Sequence, residues 1–247
     1  MKILFSPSEN KTSKALFQPI SSESFLFPSL YNKRYEVLMR YQEILNQGDS
    51  KILQQLFGIK DETKCRQMAT TNLFSALTCK AIERYCGVAY EYLSYQTLPL
   101  EDRNFLDENT IIFSNLFGPL LAKENLPHYK LHQGASLQGF KPEFFYKEVF
   151  SPLLDTFLQD EFIIDLRAGF YEKFYTLKQP YITMKFLKHG KVVSHFAKAY
   201  RGAVLRSIVQ CKPLNEKALR AIAFENLSIH EIKTSKFKTE YVFNIID

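Results

Sequence analysis

Short runs of β-branched and aromatic residues alternate irregularly with stretches of helical periodicity, and this alternation constrains the fold more than any other feature of the sequence. The runs predict strands at residues 2–5, 110–114, 162–165, 181–187 and 191–196, with a final pair of strands within 225–246. Helical spacing and caps predict helices at residues 29–46, 51–57, 61–68, 73–84, 88–92, 142–158, 197–209 and 215–224. Because no regular βαβ repeat emerges, the sequence favours an α+β fold, with a mixed β-sheet surrounded by helices.

The chain has 247 residues, no internal repeat and no long linker, and we therefore expect one domain over residues 1–247. No segment approaches the roughly 18 apolar residues of a membrane span, which favours a cytoplasmic protein without a membrane partner. The four cysteines form no C-x-x-C pair. His128 and His132 lack a third ligand nearby, so the sequence assigns neither a metal nor another cofactor.

The charge of the chain is concentrated in one segment. Residues 173–215 contain nine Lys or Arg and no Asp or Glu. Removing these nine from the 32 basic residues leaves 23 against 26 acidic residues, so the whole positive excess lies here. Such a concentration indicates a polyanionic partner: nucleic acid, an anionic membrane surface or a phosphorylated small molecule. The alternative is a solvated basic face.

Residues 53–64 resemble the helix-hairpin-helix motif, in which a hairpin glycine lets backbone N–H groups approach a DNA phosphate. The match predicts DNA contacts at Gly58, Ile59, Lys60 and Lys64. The usual proline and second glycine of the motif are absent, and an ordinary helix turn ended by glycine is the alternative.

The helix predicted at residues 197–209 carries the most concentrated charge. Its Lys198 and Arg206 fall within about 80° of each other, so we expect both to point outward. With the lysines of the preceding hairpin, such as Lys185, this helix is predicted to line one wall of a phosphate-binding cleft. Arg201 belongs to the same wall.

Asp165 and Arg167 lie two residues apart at a strand end, on one face of the chain. They are candidates for an acid and an anion-binding arginine, or for a structural ion pair. An alternative function follows: an enzyme acting on nucleic acid or a nucleotide, with Asp165, Arg167, Tyr171, His195 and Lys198 in one pocket. Because no nucleophile and base signature accompanies them, no catalytic residue is assigned, and a non-enzymatic role is favoured.

Six segments, in order, resemble the YaaA family of bacterial proteins over almost the whole chain. They are residues 6–11 (SPSENK), 81–90 (AIERYCGVAY), 113–118 (FSNLFG), 129–134 (YKLHQG), 165–171 (DLRAGFY) and the basic stretch 193–206. The sequence departs from the family pattern at Lys130, where arginine is frequent, and at His132, where glutamate is frequent.

The resemblance implies an α+β domain of unusual topology, a helix-hairpin-helix element and a positively charged cleft that binds duplex DNA. It also implies a role in surviving peroxide stress by limiting intracellular iron and oxidative DNA damage. Combined with the charge map, it predicts duplex DNA as the partner, bound with low sequence specificity and without an obligate protein partner. The predicted DNA-binding residues are Lys11, Gly58, Ile59, Lys60, Lys64, Arg167, Lys185, Lys198, Arg201 and Arg206. Direct sequestration of iron by clustered ligands is a further alternative.

Overall fold

The computed structural model describes residues 1–246, except for the side chains of Ser194 and His195. The strands in chain order are β1 (Lys2–Phe5), β2 (Asn10–Lys11), β3 (Thr78–Lys80), β4 (Tyr85–Cys86), β5 (Thr110–Ser114), β6 (Gly118–Leu121), β7 (Asn125–Pro127), β8 (Ile163–Asp165), β9 (Tyr181–Lys188), β10 (Lys191–Val192), β11 (Leu227–Thr234) and β12 (Lys238–Ile245). The α-helices are α1 (Tyr31–Gln47), α2 (Ser50–Phe57), α3 (Glu62–Ala69), α4 (Ala81–Arg84), α5 (Val88–Leu93), α6 (Leu100–Asn109), α7 (Pro142–Leu158), α8 (Ser194–Cys211) and α9 (Glu216–Arg220).

One mixed sheet of eight strands, with helices around it, confirms the predicted α+β class. Its order is β11-β12-β9-β8-β1-β5-β6, with β10 paired to β9. The inner strands β12, β9, β8, β1 and β5 are parallel, whereas β11 and β6 are antiparallel to their neighbours. The parallel strands β1 and β8 are almost entirely apolar and buried, as expected for strands covered on both faces.

The carboxyl ends of β1 and β8 meet at the same edge of the sheet, because Leu4 of β1 lies opposite Asp165 of β8 in the parallel register. The loop after β1 and the segment after β8 therefore leave the sheet side by side. In open sheets with parallel strands, ligands bind in the crevice outside the carboxyl ends. The topology of the sheet therefore favours a ligand-binding site at this edge.

Most predicted strands and helices are confirmed, with shifts of a few residues at their ends. The predicted hairpin at His189 and Gly190 is present, and both residues have positive φ, 49° and 73°, as a two-residue hairpin loop requires. Its second strand ends at Val192 instead of residue 196, because α8 begins at Ser194.

The predicted helix at residues 73–84 is wrong over most of its length. Thr78–Lys80 forms β3, which pairs with β7, and only Ala81–Arg84 is helical. Thr78 also bridges to Phe17, far away in the sequence. Pairing with these distant segments overrides the local helical preference. The strands β2, β4, β6 and β7 and the helix α6 were not predicted from the sequence.

None of the helices in the described part of the chain is both long enough and apolar enough to cross a membrane.

Candidate functional site

A cavity of about 440 Å³ opens at the carboxyl ends of β1 and β8. Four parts of the chain enclose it: the loop after β1 (residues 6–10), the start of α5 at Gly87, the segment after β8 (residues 166–171) and the helix α8. Gln133 completes one wall. Five of the six segments that suggested the family resemblance therefore contribute to this one cavity.

Lys11, which directly follows the loop after β1, holds this loop in place. The Lys11 amine donates hydrogen bonds to the backbone oxygens of Ser8 at 3.1 Å and Glu9 at 3.3 Å. It also lies 4.1 Å from the centre of the Tyr129 ring, which favours a cation. Burial, with the nearby charge of Lys130, lowers the pKa of Lys11 to about 7. The amine thus fixes the loop, and it is not among the residues that line the cavity.

Glu9 is the acidic group of the cavity wall, and basic neighbours engage it. Its carboxylate lies 3.4 Å from Lys130 Nζ and 3.1 Å from His132 Nδ1, and it accepts from the Gln133 N–H at 3.1 Å. Burial acts to raise the pKa of Glu9, but the Gln133 hydrogen bond and the charge of Lys130 outweigh it, and the pKa is lowered. The carboxylate therefore stays charged and ties residues 130–133 to the loop after β1.

Helix α8 reaches the cavity because a glycine lets it lie directly on α5. A Cβ atom on Gly202 would stand 1.9 Å from the backbone oxygen of Ala89, so only glycine permits this approach. The close crossing brings Lys198 and Arg201 of α8 to the cavity. The close packing of α8 on α5, two segments far apart in the sequence, thus positions Lys198 and Arg201 at the cavity.

Arg201 is half-buried and has its guanidinium unpaired. It makes no hydrogen bond or ion pair with any residue that the structure describes. Burial lowers the pKa of its guanidinium, and the more distant charges of Asp165 and Glu172 oppose this shift. Arginine retains its charge under such conditions. A charged fork with unused donors therefore faces the cavity.

Tyr171 lines the same cavity and is only 4% exposed. Its hydroxyl has no hydrogen-bond partner among the described residues. Burial raises the pKa of this phenol, so it remains protonated near neutral pH. Most buried tyrosine hydroxyls have a partner, and an unused one at a cavity wall indicates a place for a ligand.

Asp165 and Arg167 form a buried ion pair with each other. The Arg167 guanidinium donates to both carboxylate oxygens of Asp165, at 2.9 and 2.7 Å, and to the backbone oxygens of Tyr171 and Tyr175. Arg167 is 4% exposed. Of the two interpretations, the geometry supports the structural ion pair, and it removes Arg167 from the surface where a DNA phosphate would lie.

The five residues predicted for a catalytic pocket are not all brought together. Tyr171 and Lys198 line the cavity, whereas Asp165 and Arg167 do not. The side chain of His195 lies outside the described residues. Because the carboxylate and guanidinium of the pair satisfy each other, the cavity resembles a binding site more than a site with a free acid and base.

Arg206 and Lys185 lie elsewhere. Arg206 donates to the backbone oxygens of Leu93 at 2.9 Å and Ser94 at 3.1 Å, and so fastens α8 to the end of α5. On β9, Phe186 stacks on Tyr200 of α8, and Lys185 projects from the opposite face of the strand. The expectation that Lys185, Lys198 and Arg206 share one wall with Arg201 is therefore wrong for Lys185 and Arg206.

The predicted helix-hairpin-helix element is not confirmed. The helices α2 and α3 are present, joined by residues 58–61, but Gly58 faces His132, whose ring would stand 2.7 Å from an added Cβ. The Asp61 side chain already accepts the N–H of Lys64 at the start of α3. This acidic cap occupies one N–H of the helix start, and its charge repels a phosphate.

The lysines of this hairpin are on the surface. Lys60 and Lys64 are exposed, and Lys64 lies 3.8 Å from Asp61, whereas Ile59 packs against the core. The hairpin therefore presents two exposed lysine charges beside a helix start that Asp61 already caps.

No group of three His, Cys, Asp or Glu side chains able to hold a metal ion occurs among the residues that the structure covers. Direct iron sequestration, which needs such a group, gains no support from this geometry.

Comparison with known proteins agrees with the resemblance to the YaaA family. A family model described as peroxide stress protein YaaA matches residues 1–233. An uncharacterized protein of Campylobacter jejuni is 47% identical over 247 residues, which cover 100% of both chains. A UPF0246 protein of Corynebacterium efficiens is 34% identical over 216 residues, 83% of this chain and 84% of that one. A UPF0246 protein of Streptomyces coelicolor is 26% identical over 238 residues, 91% of each chain.

Proposed function

This chain belongs to the peroxide stress protein YaaA family, and we propose that it acts in the response to peroxide by binding the backbone of duplex DNA at the mouth of the cavity at the ends of β1 and β8. One observation carries the proposal: Lys198 and Arg201, from the stretch without acidic residues, open onto this cavity, and the Arg201 guanidinium has no partner among the described residues. Unused cationic donors suit phosphate oxygens.

The bound surface of DNA would be its phosphate backbone. Lysine and arginine neutralise phosphates without reading bases, so we expect low sequence specificity. The net charge of +6, concentrated in residues 173–215, favours association with a polyanion. The proposal needs no obligate protein partner and no cofactor.

We further propose that this binding occurs in the cytoplasm and limits oxidative DNA damage, together with a lower level of intracellular iron. The family membership and the charge of the chain support this role. In cells that lack the native protein, Arg201→Gln should restore survival of peroxide less well than the unaltered protein. If cells with Arg201→Gln and cells with the unaltered protein survive peroxide equally well, the cavity has no role in the stress response.

The direct test is fluorescence polarisation of a labelled random-sequence duplex, titrated with the protein from about 50 to 200 mM salt. Affinity should fall steeply with salt. The variant Arg201→Gln should bind more weakly to all sequences, with a salt slope smaller by about one unit. Lys185→Gln removes the same charge from the face of β9 that points away from α8, and it serves as the matched control.

Equal losses of DNA affinity in the two variants would show that the net charge of the protein attracts DNA, and not the cavity. Absence of binding at the lowest salt concentration would overturn the proposed function.

A further inference from the structure

The cavity is enclosed on several sides, and its volume of about 440 Å³ lies within the range of small-ligand sites. A duplex is too wide to enter it. We propose that the cavity holds one nucleoside monophosphate unit, with its phosphate on Arg201 and Lys198 and its base near Asn10 and Gln133. The unit comes either from a DNA strand, turned out of the duplex, or from a free nucleotide. The first source rests on the proposed function, and the second does not.

The phosphate end is defined by Arg201. The Arg201 guanidinium is half-buried and has no partner among the described residues, so its donors are available to a ligand in the cavity. A phosphate suits these donors, because its oxygens match the planar fork of arginine in a bidentate manner. Lys198 lies three residues earlier, on the same side of α8, and adds a second charge.

Tyr171 supplies a fixed hydroxyl in the wall of the same cavity. Its ring packs edge-on against Phe170 at 5.3 Å and stacks on Phe174 at 6.0 Å, so its orientation is set by packing. The hydroxyl is protonated and has no partner in the described part of the chain. It can donate to a phosphate or sugar oxygen and accept from a base amine.

The remaining walls suit a base. Phe5, Val88 and Leu166 provide apolar surface. Asn10 and Gln133 carry side-chain amides without a protein partner among the described residues, and each amide presents a donor beside an acceptor. The edges of bases carry the same groups, and enzymes read bases outside the helix in this way. Inorganic phosphate would leave these walls unused.

Binding of a free unit is tested by titration calorimetry with dAMP and, separately, with inorganic phosphate. We expect one dAMP per chain and weaker binding of phosphate. Arg201→Gln should weaken dAMP binding about ten- to a hundredfold, the effect of losing a charged hydrogen bond, and Tyr171→Phe about threefold to tenfold. Lys198→Gln, at an exposed position, should weaken binding without affecting the fold, and Lys185→Gln should leave it unchanged.

The DNA source is tested with a duplex that carries 2-aminopurine at a mismatch, because this base becomes fluorescent when it leaves the stack. A fluorescence rise on binding, reduced in Tyr171→Phe while duplex affinity is kept, identifies a unit turned out of the duplex. Binding of dAMP without such a rise identifies a free nucleotide, whether or not duplex DNA binds.

The two proposals fail separately. Duplex binding without dAMP binding and without a fluorescence rise overturns the nucleotide inference and leaves the proposed function in place. Binding of dAMP without any duplex binding overturns the proposed function and supports the nucleotide inference. Equal dAMP affinity in Arg201→Gln, Lys198→Gln and the unaltered protein would also overturn the inference, because it puts the ligand elsewhere.

Discussion

The cavity at the ends of β1 and β8 and the hairpin between α2 and α3 both present lysine or arginine near a glycine, yet only the cavity holds unused donors in a partly enclosed site. In the hairpin, Asp61 caps the start of α3, and the ring of His132 occupies the space beside Gly58. In the cavity, the Arg201 guanidinium and the Tyr171 hydroxyl have no partner among the described residues. Sequence similarity to a phosphate-binding motif therefore does not guarantee unsatisfied donors in an enclosed site.

A second contrast lies within the cavity region. Arg167 and Arg201 are both close to Asp165, but only Arg167 pairs with it, at 2.7 Å. Arg167 supports the fold through this pair, whereas Arg201 has no partner among the described residues.

Arg167→Met should lower the free energy of unfolding by about 3–5 kcal/mol, because it leaves the buried carboxylate of Asp165 uncompensated. Urea denaturation measures the change. The double variant Asp165→Leu/Arg167→Met should recover part of the loss, since it removes both buried charges. A stable Arg167→Met with weakened DNA binding would instead return Arg167 to the DNA interface.

Gly202→Ala should lower the free energy of unfolding by about 1–3 kcal/mol, because the added methyl group collides with the backbone of Ala89 and pushes α8 away from α5. It should also weaken DNA binding by moving Arg201. Gly48→Ala is the control: it has positive φ but open space around it, and should cost only about 1 kcal/mol without affecting binding. Equal effects of the two variants on binding would contradict the role of the close crossing.

The double variant Lys198→Gln/Arg201→Gln should weaken duplex binding about tenfold or more, whereas Lys60→Ala/Lys64→Ala should weaken it less than about threefold. Both variants remove two positive charges, so the comparison separates position from net charge. Polarisation titrations at one salt concentration measure both. Equal losses would make the hairpin a second phosphate site.

The stability of the cavity region should depend on pH through Lys11, with the smallest of these effects because water partly screens the half-buried amine. Its pKa is lowered to about 7 in the folded state, below its ordinary value of about 10.4. Between these values the unfolded chain binds more protons, so stability rises with pH. Below pH 7 the amine is charged in both states, and the penalty of burying it is complete.

Urea midpoints at pH 6, 8 and 10 test this dependence against Lys11→Met, which keeps the length of the side chain and cannot titrate. The unaltered protein should gain stability relative to the variant as the pH rises from about 7 to 10. If the difference in urea midpoint between the two proteins stays constant with pH, burial does not lower the pKa of the Lys11 amine.

Much of the fold was predictable because its signals are local. The parallel strands at Lys2–Phe5 and Thr110–Ser114 each contain three consecutive buried apolar residues, and the hairpin at His189 and Gly190 has a glycine where positive φ is needed. The strand at Thr78–Lys80 was not predictable in this way, because its partners are Phe17 and residues 125–127. Its pairing depends on segments that local periodicity does not report.

The site was predicted in part. Lys198 and Arg201 were identified from charge alone, and both line the cavity. Arg206 and Lys185 were grouped with them, but the helix contact to Leu93 and the alternation of β9 separate them. Gln133 and Gly202 carried no signal in composition or periodicity, and the family resemblance alone covered their segments.

The sequence by itself determined the α+β class, the family and the charge that favours a polyanion, since these follow from residue order and local preference. Only the tertiary structure decided which cations face the cavity, which are consumed in internal contacts, and which hydroxyl is left without a partner. The physical reason is that acceptors from distant segments decide whether a donor is satisfied, as Leu93 does for Arg206. Contacts between distant segments, such as that of Gly202 with Ala89, also decide which side chains reach the cavity, and they form only when the chain has folded.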